Sequence, residues 1–269
     1  MIYYKTAEEI ELIRENCIIV SKTLAYVGSL IKPGITGKFL DKKAEEFVRD
    51  QDSIPGFLNY KGFPFTLCFS KNNVIVHGFP DETEIVDGDI VSVDCGSLKN
   101  GFYGDAAYTF ILNGASSEVI ELCRATNKSL YLGIEQARAG NRVGDIGYAI
   151  QSYVERKLGY GVVRELVGHG LGKSLHESPE VMNYGKRGKG VLLKEGLVIA
   201  IEPMVNLGNK RVMTLNDGWS VVTHDGSSSA HYEHSVAIRK GDADILSDHS
   251  IIEEQVKNNV NLIDISENN

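Results

Sequence analysis

Apolar residues recur at helical spacing from Ile10 through Ile13, Cys17, Val20, Leu24 and Val27 to Ile31, marking one buried face of a first helix. Thr6, with Glu9 three residues on, is a capping box at its start, and Pro33-Gly34 ends it. A second helix is predicted over about 39–49, with Leu40, Ala44, Phe47 and Val48 on its inner side and Pro55-Gly56 beyond. The pattern then becomes strand-like at 66–70, at 74–77 and on both sides of Asn100-Gly101, a dipeptide that readily takes the positive φ a tight hairpin turn needs. Ser117 caps a long helix over about 118–138, and a shorter one follows over about 146–157. Strands resume at 162–163, 197–202, 212–214, 220–222 and 230–236.

A two-residue turn at Asn100-Gly101 fixes the hairpin register: Lys99 faces Phe102, Ser97 faces Gly104 and Gly96 faces Asp105. Side chains alternate faces along a strand, so Asp94 and Asp105 are diagonal neighbours, roughly 7 Å apart at the backbone. Two carboxylates aimed into one space resist ionising together unless a cation sits between them. Taken alone, the pair equally suits an open, solvated sheet face.

The order of elements also carries an echo. Lys32-Pro33-Gly34 with Leu40, Phe47 and Val48 resembles Arg138-Ala139-Gly140 with Ile146, Tyr153 and Val154, at an offset of 106. Val91-Ser92-Val93-Asp94 resembles Ile199-Ala200-Ile201-Glu202, at an offset of 108. Two halves related by a pseudo-twofold would put Asp94 and Glu202 in equivalent places beside a cleft, where ligand sites commonly lie. The expected organisation is one catalytic domain over 1–245, with halves at about 6–114 and 115–240. A polar tail over 246–269 follows, its last ten residues frayed.

Composition narrows the class. The chain has 269 residues, 42% apolar and 24% charged, which is ordinary for a globular protein. A net charge of −8 and a pI near 5.4 argue against a broad nucleic-acid or anionic-membrane surface. The four cysteines, Cys17, Cys68, Cys95 and Cys123, show no CxxC spacing, so neither a zinc knuckle nor a disulfide framework is indicated. No signal-type apolar core or run of membrane-spanning length is present, and a reducing cytoplasm is the expected location.

Ligand-type residues gather around the hairpin pair. Glu202 ends an apolar run directly before Pro203, which keeps it extended, and a carboxylate ending a buried strand is costly unless paired or bound to a cation. His169 lies between glycines in Val167-Gly168-His169-Gly170-Leu171-Gly172, where little bulk opposes close approach. These glycines follow no clear strand and open no good helix, so a dinucleotide fingerprint is not read. His176 follows in Leu175-His176-Glu177, His77 ends Val74-Ile75-Val76, and Glu233 lies in Tyr232-Glu233-His234, with His231 on its face and His234 turned away. Each histidine alone suits a structural role. Four carboxylates and one imidazole together would hold two divalent ions about 3.5–4 Å apart. A structural zinc would instead recruit grouped cysteines.

His77, Asp94, Asp105, His169, His176, Glu202 and Glu233, in this order and spacing, resemble the methionine aminopeptidases. The resemblance runs from about Thr6 to Lys240. Its blocks are Val76-His77-Gly78-Phe79-Pro80, Asp94 with Asp105, Gly168-His169-Gly170-Leu171-Gly172 with His176, Ile201-Glu202-Pro203-Met204 and Tyr232-Glu233-His234. It implies an α+β, pita-bread fold: two pseudosymmetric halves with a curved antiparallel sheet inside and helices outside. Only 25 residues separate His176 from Glu202, which resembles the short bacterial type.

By that resemblance, Asp94, Asp105, His169, Glu202 and Glu233 hold two divalent ions (manganese, iron, cobalt or zinc), with Asp105 and Glu233 bridging. Water activated by the ions attacks the first peptide bond, Glu202 moves its proton, His176 stabilises the oxyanion and His77 contacts the substrate amide. Phe57, Tyr60, Phe63, Cys68, Leu175 and Trp219 form the methionine pocket. Phe57 and Leu175 depart from residues seen in some relatives, and His231 replaces an amide, which raises a metal contact or an altered pH profile. A monovalent cation is implied near Asn72, Val74 and Ser229. The implied partners are nascent polypeptides and peptides with N-terminal methionine, met in transient association with the ribosome, with no membrane or direct nucleic-acid role and a monomeric state. The competing readings are a prolidase-like X-Pro peptidase and a non-catalytic binding protein on the same fold.

Overall fold

In a computed structural model, which describes residues 1–266, the first helix, α1 (Ala7–Leu30), begins at the capping box read from the sequence. Its Glu9 N–H donates to Thr6 Oγ1, and the Thr6 N–H donates back to the Glu9 carboxylate. The other helices are α2 (Gly37–Asp50), α3 (Ser117–Ile134), α4 (Val143–Gln151), which continues as a wider turn over Ser152–Lys157, and α5 (His249–Asn258). Helix α3 stops short of 138 because the chain beyond it turns to bond Arg239: the Ala139 N–H donates to the Arg239 carbonyl.

The strands are β1 (Ile54–Pro55), β2 (Leu67–Lys71), β3 (Val74–Val76), β4 (Ile90–Lys99), β5 (Phe102–Ile111), β6 (Gly161–Val162), β7 (Gly168–Gly170) and β8 (Glu177–Val181). They continue as β9 (Val198–Ile201), β10 (Met204–Asn206), β11 (Val212–Thr214), β12 (Val221–Thr223), β13 (Ser229–His231), β14 (Glu233–Ala237) and β15 (Asp244–Ile245). Nine of them form one sheet in the order β1-β4-β5-β14-β9-β7-β8, with β2 also on β4 and β15 also on β14. The central run β4-β5-β14-β9 is a palindrome about the β5–β14 seam. One hairpin half meets its counterpart there, as the pita-bread arrangement requires. The hairpin register is the one its turn dictates: Lys99 pairs Phe102 and Gly96 pairs Asp105, with positive φ at Asn100 and Gly101. Helix α1 contributes Val20, Leu24 and Val27 to a core shared with Val91, Val93, Cys95, Tyr108 and Phe110 of the hairpin. Each such fully buried side chain contributes about 1.5–3 kcal/mol of transfer free energy.

Three further features differ from the sequence reading. The glycine-flanked segment around His169 is a strand, β7, lying between β9 and β8. A Cβ at Gly168 would stand 2.3 Å from the Ala200 carbonyl oxygen, and one at Gly170 would stand 2.5 Å from that of Ser178. Only bare backbone lets these strands close, and bare backbone carries no apolar alternation to read. Next, the runs expected as single strands at 197–202 and 230–236 each change sheet. After Glu202-Pro203 the chain passes from β9 into β10 of a small sheet ordered β13-β10-β6, and at Tyr232 it passes from β13 back into β14 of the large one. Third, the segment after 245 is no loose tail. Helix α5 packs along α1, with Ile252 and Val256 buried, and the Asn259 amide donates to the Gly28 and Ile31 carbonyls at the end of α1. Leu262 and Ile265 are buried in the same core, so the fraying expected from residue 260 is absent up to 266; residues 267–269 lie outside the described residues. Polar composition hid the segment's widely spaced apolar anchors.

Candidate metal centre and its pocket

Sheet register gathers the acidic side chains. Asp94 on β4 and Glu233 on β14 both pair with Ala107 of β5, from opposite sides, so the three share one face. Asp105, two residues back along β5, lies on that face too. At the centre of the row Ala107 offers only a methyl group, which leaves room between the carboxylates. On β9, Ile201 pairs His234, which brings Glu202 beside Glu233. On β7, Gly170 pairs Ile199, which turns His169 to the face that carries Glu233.

The donor atoms are close without satisfying one another. His169 Nε2 lies 3.6 Å from Asp105 Oδ2 and 3.6 Å from Glu202 Oε1. Donor atoms of Asp105, His169 and Glu233 fall within 4.8 Å of one another, and so do those of Glu202, His231 and Glu233. Asp94 joins neither set at that spacing, although it lines the same cavity and faces Asp105. Asp94 Oδ1, Asp105 Oδ1, Glu233 Oε1 and His231 Nε2 are buried with no hydrogen-bond partner. Two donors bound to one ion at about 2.1 Å stand roughly 3–3.5 Å apart, so this spacing is that of ligands around a cation rather than of hydrogen-bond partners.

Electrostatics agree with that fit. Burial pushes the Asp94 carboxyl up to about 7, with nearby His231 pulling it down and Glu202 pushing it further up. Burial likewise pushes Glu202 up to about 7. Asp105 and Glu233 rise well above the carboxylate range, through burial first and then repulsion from the neighbouring carboxylates. Such a cluster ionises fully only when cations supply the opposing charge. His169 is oriented for that purpose: Nδ1–H donates to the Gly170 carbonyl at 2.9 Å, which leaves the Nε2 lone pair facing Asp105 and Glu202.

Two further histidines border the centre. His176 Nδ1 is 3.0 Å from the Tyr60 hydroxyl, and its ring stacks on Tyr60 and lies 4.3 Å from that of His169. His77 follows β3 in the left-handed region at φ 56° and meets the edge of Trp219. A non-glycine residue held there is uncommon, and here it aims the ring into the cavity. Burial drives His77 down to about 4 and His176 down to about 3, so both rings are neutral near pH 7.

A single cavity of about 210 Å³ is lined by Asp94, Asp105, His169, Glu202 and Glu233 together with His77 and His176. Its remaining lining is Phe57, Tyr60, Phe63, Cys68, Leu175 and Trp219, plus Lys61 at the rim. Phe63 meets Trp219 edge-on at 5.2 Å and Phe79 at 5.7 Å, which stiffens that wall. Asn72, Val74 and Ser229, assigned by resemblance to a monovalent cation, lie together elsewhere: the Ser229 N–H donates to the Asn72 carbonyl, and Val74 pairs Val222. Sequence reading missed Lys61, which sits in a three-residue turn at positive φ and carries no motif. It also missed Thr109, whose hydroxyl accepts from the His231 N–H and donates to the His231 carbonyl. Its place on the Asp105 face of β5 was the available signal.

Residues 11–240 match the family described as metallopeptidase family M24. The chain is 49% identical to the methionine aminopeptidase of Clostridium perfringens, over 92% of this chain and 99% of that protein. The crystal structure of methionine aminopeptidase from Rickettsia prowazekii superposes with a TM-score of 0.90 at 37% identity, over 92% of this chain and all of that one. The prolidase from Pyrococcus horikoshii superposes at 0.72 with 20% identity over 91% of this chain and 63% of that one, a likeness of fold alone. With the metal-type donors gathered on one sheet face and these matches spanning nearly the whole chain, the protein belongs to metallopeptidase family M24 and, within it, to the methionine aminopeptidases.

Proposed function

We propose that this chain removes the N-terminal methionine from peptides and newly made proteins with a small second residue, using two divalent ions held by Asp94, Asp105, His169, Glu202 and Glu233. The observation that carries the reading is one cavity with five metal-type donors at one end and a predominantly apolar wall at the other. The oxygen-rich donor set with imidazole suits manganese, iron, cobalt or zinc. When bound, the two ions polarise the scissile carbonyl, lower the pKa of the attacking water and hold the substrate's free amino terminus.

The protein's own groups do the rest. Glu202 accepts the proton of the attacking water and returns it to the leaving amine. The Tyr60 hydroxyl donates to His176 Nδ1, so His176 carries its proton on Nε2 and donates to the developing oxyanion as a neutral imidazole. His77 contacts the substrate amide from the Trp219 side. The methionine side chain fills the space between Phe57, Tyr60, Phe63, Cys68, Leu175 and Trp219, where its thioether meets aromatic edges. Because the free amino terminus is a binding group, one residue leaves per encounter. Substrates are nascent chains met in transient contact with the ribosome, the working unit is a monomer and the compartment is the cytoplasm. Four buried, unpaired cysteines suit a reducing environment. Among the described residues no helix is long and apolar enough to cross a membrane.

The test is release of free methionine from Met-Ala-Ser, with Leu-Ala-Ser and an X-Pro dipeptide alongside, in chelated protein titrated with manganese or cobalt. Metal-dependent cleavage of the methionyl peptide alone, lost in Asp105→Ala, is the expected result. Turnover of the X-Pro dipeptide instead, or metal uptake with no cleavage, would reject the proposal.

A further inference from the structure

We propose that His231 is an additional metal donor of this centre, its Nε2 completing one cation position together with Glu202 and Glu233. The inference rests on the reading above that the centre holds two divalent ions.

The two donor sets have the same make-up. One joins Asp105, His169 and Glu233, and the other joins Glu202, His231 and Glu233. Glu233 is common to both, and each set has its own imidazole. His231 is 1% exposed, and its Nε2 touches neither solvent nor a hydrogen-bond partner. The nearest carboxylate oxygen, Glu202 Oε2, is 3.6 Å away, beyond hydrogen-bond length. A buried imidazole nitrogen left in this state is costly unless something else takes its lone pair. By contrast His234, three residues on and equally buried, has both ring nitrogens engaged, by Tyr131 and Ser247.

The backbone that carries His231 is fixed. Met204 pairs it across β10–β13, one residue past Pro203, which brings its ring to Glu202. From the other side the Thr109 hydroxyl binds both its N–H and its carbonyl. With that proton committed, Ser92 donates to Thr109 at 2.8 Å and completes the clamp. A side chain so held is placed as a ligand is placed, by packing and surrounding hydrogen bonds rather than by chance contact.

The experiment uses full-length protein stripped with chelator and reloaded with cobalt(II). X-ray absorption at the cobalt edge counts coordinated imidazoles, and calorimetric titration gives stoichiometry and affinity. Wild type is expected to show two imidazoles per two cobalt ions, and His231→Gln one. One of the two binding steps should weaken by at least about tenfold in the variant while the other is kept. One imidazole per two ions in wild type overturns the assignment without reference to any variant, so a misfolded variant does not protect it. An unchanged count and isotherm in a folded His231→Gln likewise overturns it, and reduces His231 to a neighbour of Glu202. Failure of wild type to bind two ions would instead reject the metal reading on which the inference rests.

Discussion

Removing the ions should leave buried carboxyl groups whose ionisation costs the fold stability as pH rises from about 4.5 to about 7. In the ion-free chain, burial lifts Asp94 from 3.8 to about 7 and Glu202 from 4.5 to about 7, and burial with repulsion from the neighbouring carboxylates raises Asp105 and Glu233 well above the ordinary carboxylate range. A carboxyl whose folded pKa is raised stabilises the fold while protonated, and that contribution is lost as pH climbs through the folded value. At about 1.4 kcal/mol per unit, Asp94 alone corresponds to a loss of about 4 kcal/mol. The four groups repel one another, so their losses are not summed, and about 4 kcal/mol sets the scale. At about 2–4 °C per kcal/mol, this lowers the melting temperature of the chelated wild type by roughly 10 °C between about pH 4.5 and 7, relative to a chelated Asp94→Asn/Glu202→Gln variant that lacks the two titrations. Buried histidines act in the opposite sense over much of the same range. His77, His176 and His249 have folded values of about 4, 3 and 4, so the stability they confer is present above 6.5 and lost as pH falls. The two sets oppose each other in the absolute melting temperature, so the carboxyl contribution is read as the difference between chelated wild type and chelated Asp94→Asn/Glu202→Gln. Manganese should offset that carboxyl cost, adding about 2.7 kcal/mol per site at a hundredfold excess over Kd, because it takes up the ionised carboxylates. Differential scanning calorimetry with and without chelator measures this. A chelated wild type that loses no stability relative to the chelated Asp94→Asn/Glu202→Gln variant between about pH 4.5 and 7 would refute the reasoning.

Three other outcomes follow from the geometry. Gly168→Ala places a methyl carbon 2.3 Å from the Ala200 carbonyl oxygen, so β7 must move away from β9 and carry His169 with it. A stability loss of about 1–3 kcal/mol in denaturant titration, with weakened metal binding in calorimetry, is expected. Tyr60→Phe removes the hydroxyl that lies 3.0 Å from His176 Nδ1 and, in the proposed mechanism, fixes its tautomer. It should lower kcat about tenfold with little change in KM, the scale of one hydrogen bond made in the transition state, and steady-state kinetics on Met-Ala-Ser reads that split. Ile252→Ala, at a fully buried position of α5, should cost about 2–5 kcal/mol in urea unfolding, whereas a loose tail would show no change.

How much of this was legible in the sequence depends on what each residue had to do. The hairpin was readable because Asn100-Gly101 fixes one register, and that register alone puts Asp94 and Asp105 on a common face. Helix α1 was readable because its cap and its apolar stripe are both local features. Strand β7 was not, because its requirement is for the absence of side chains, and glycine signals a strand only when the neighbouring backbone is known. The changes of sheet at Pro203 and Tyr232 were also hidden: either run reads as one continuous strand until its pairing partners are in place. Lys61 reaches the site through a turn that carries no spacing signal, whereas Thr109 shared the Asp105 face of β5 but showed its role only once its cross-strand clamp on His231 was in place. The folded C-terminal segment was misread because its contacts rest on a few anchors, Ile252, Val256, Leu262 and Ile265, among polar neighbours.

Those changes of sheet explain why the chemistry sits where it does. At Glu202-Pro203 the strand leaves the large sheet, and Pro203 has no N–H to donate, so the ladder opens directly beside the carboxylate. At Tyr232 the returning strand enters the large sheet just before Glu233 and leaves His231 in the small one. The two crossings are adjacent, since Met204 pairs His231 on one side and Ile201 pairs His234 on the other. The cavity beside these crossings is lined by Glu202 and Glu233 from the second half, with Asp94 and Asp105 of the hairpin. The first half of the chain thus supplies a rigid, regular hairpin with two acids at fixed spacing. The second half supplies a broken ladder that admits a substrate to them. Neither half contains the site alone, and the β5–β14 seam that joins them, with Ala107 paired to Glu233, runs through its centre.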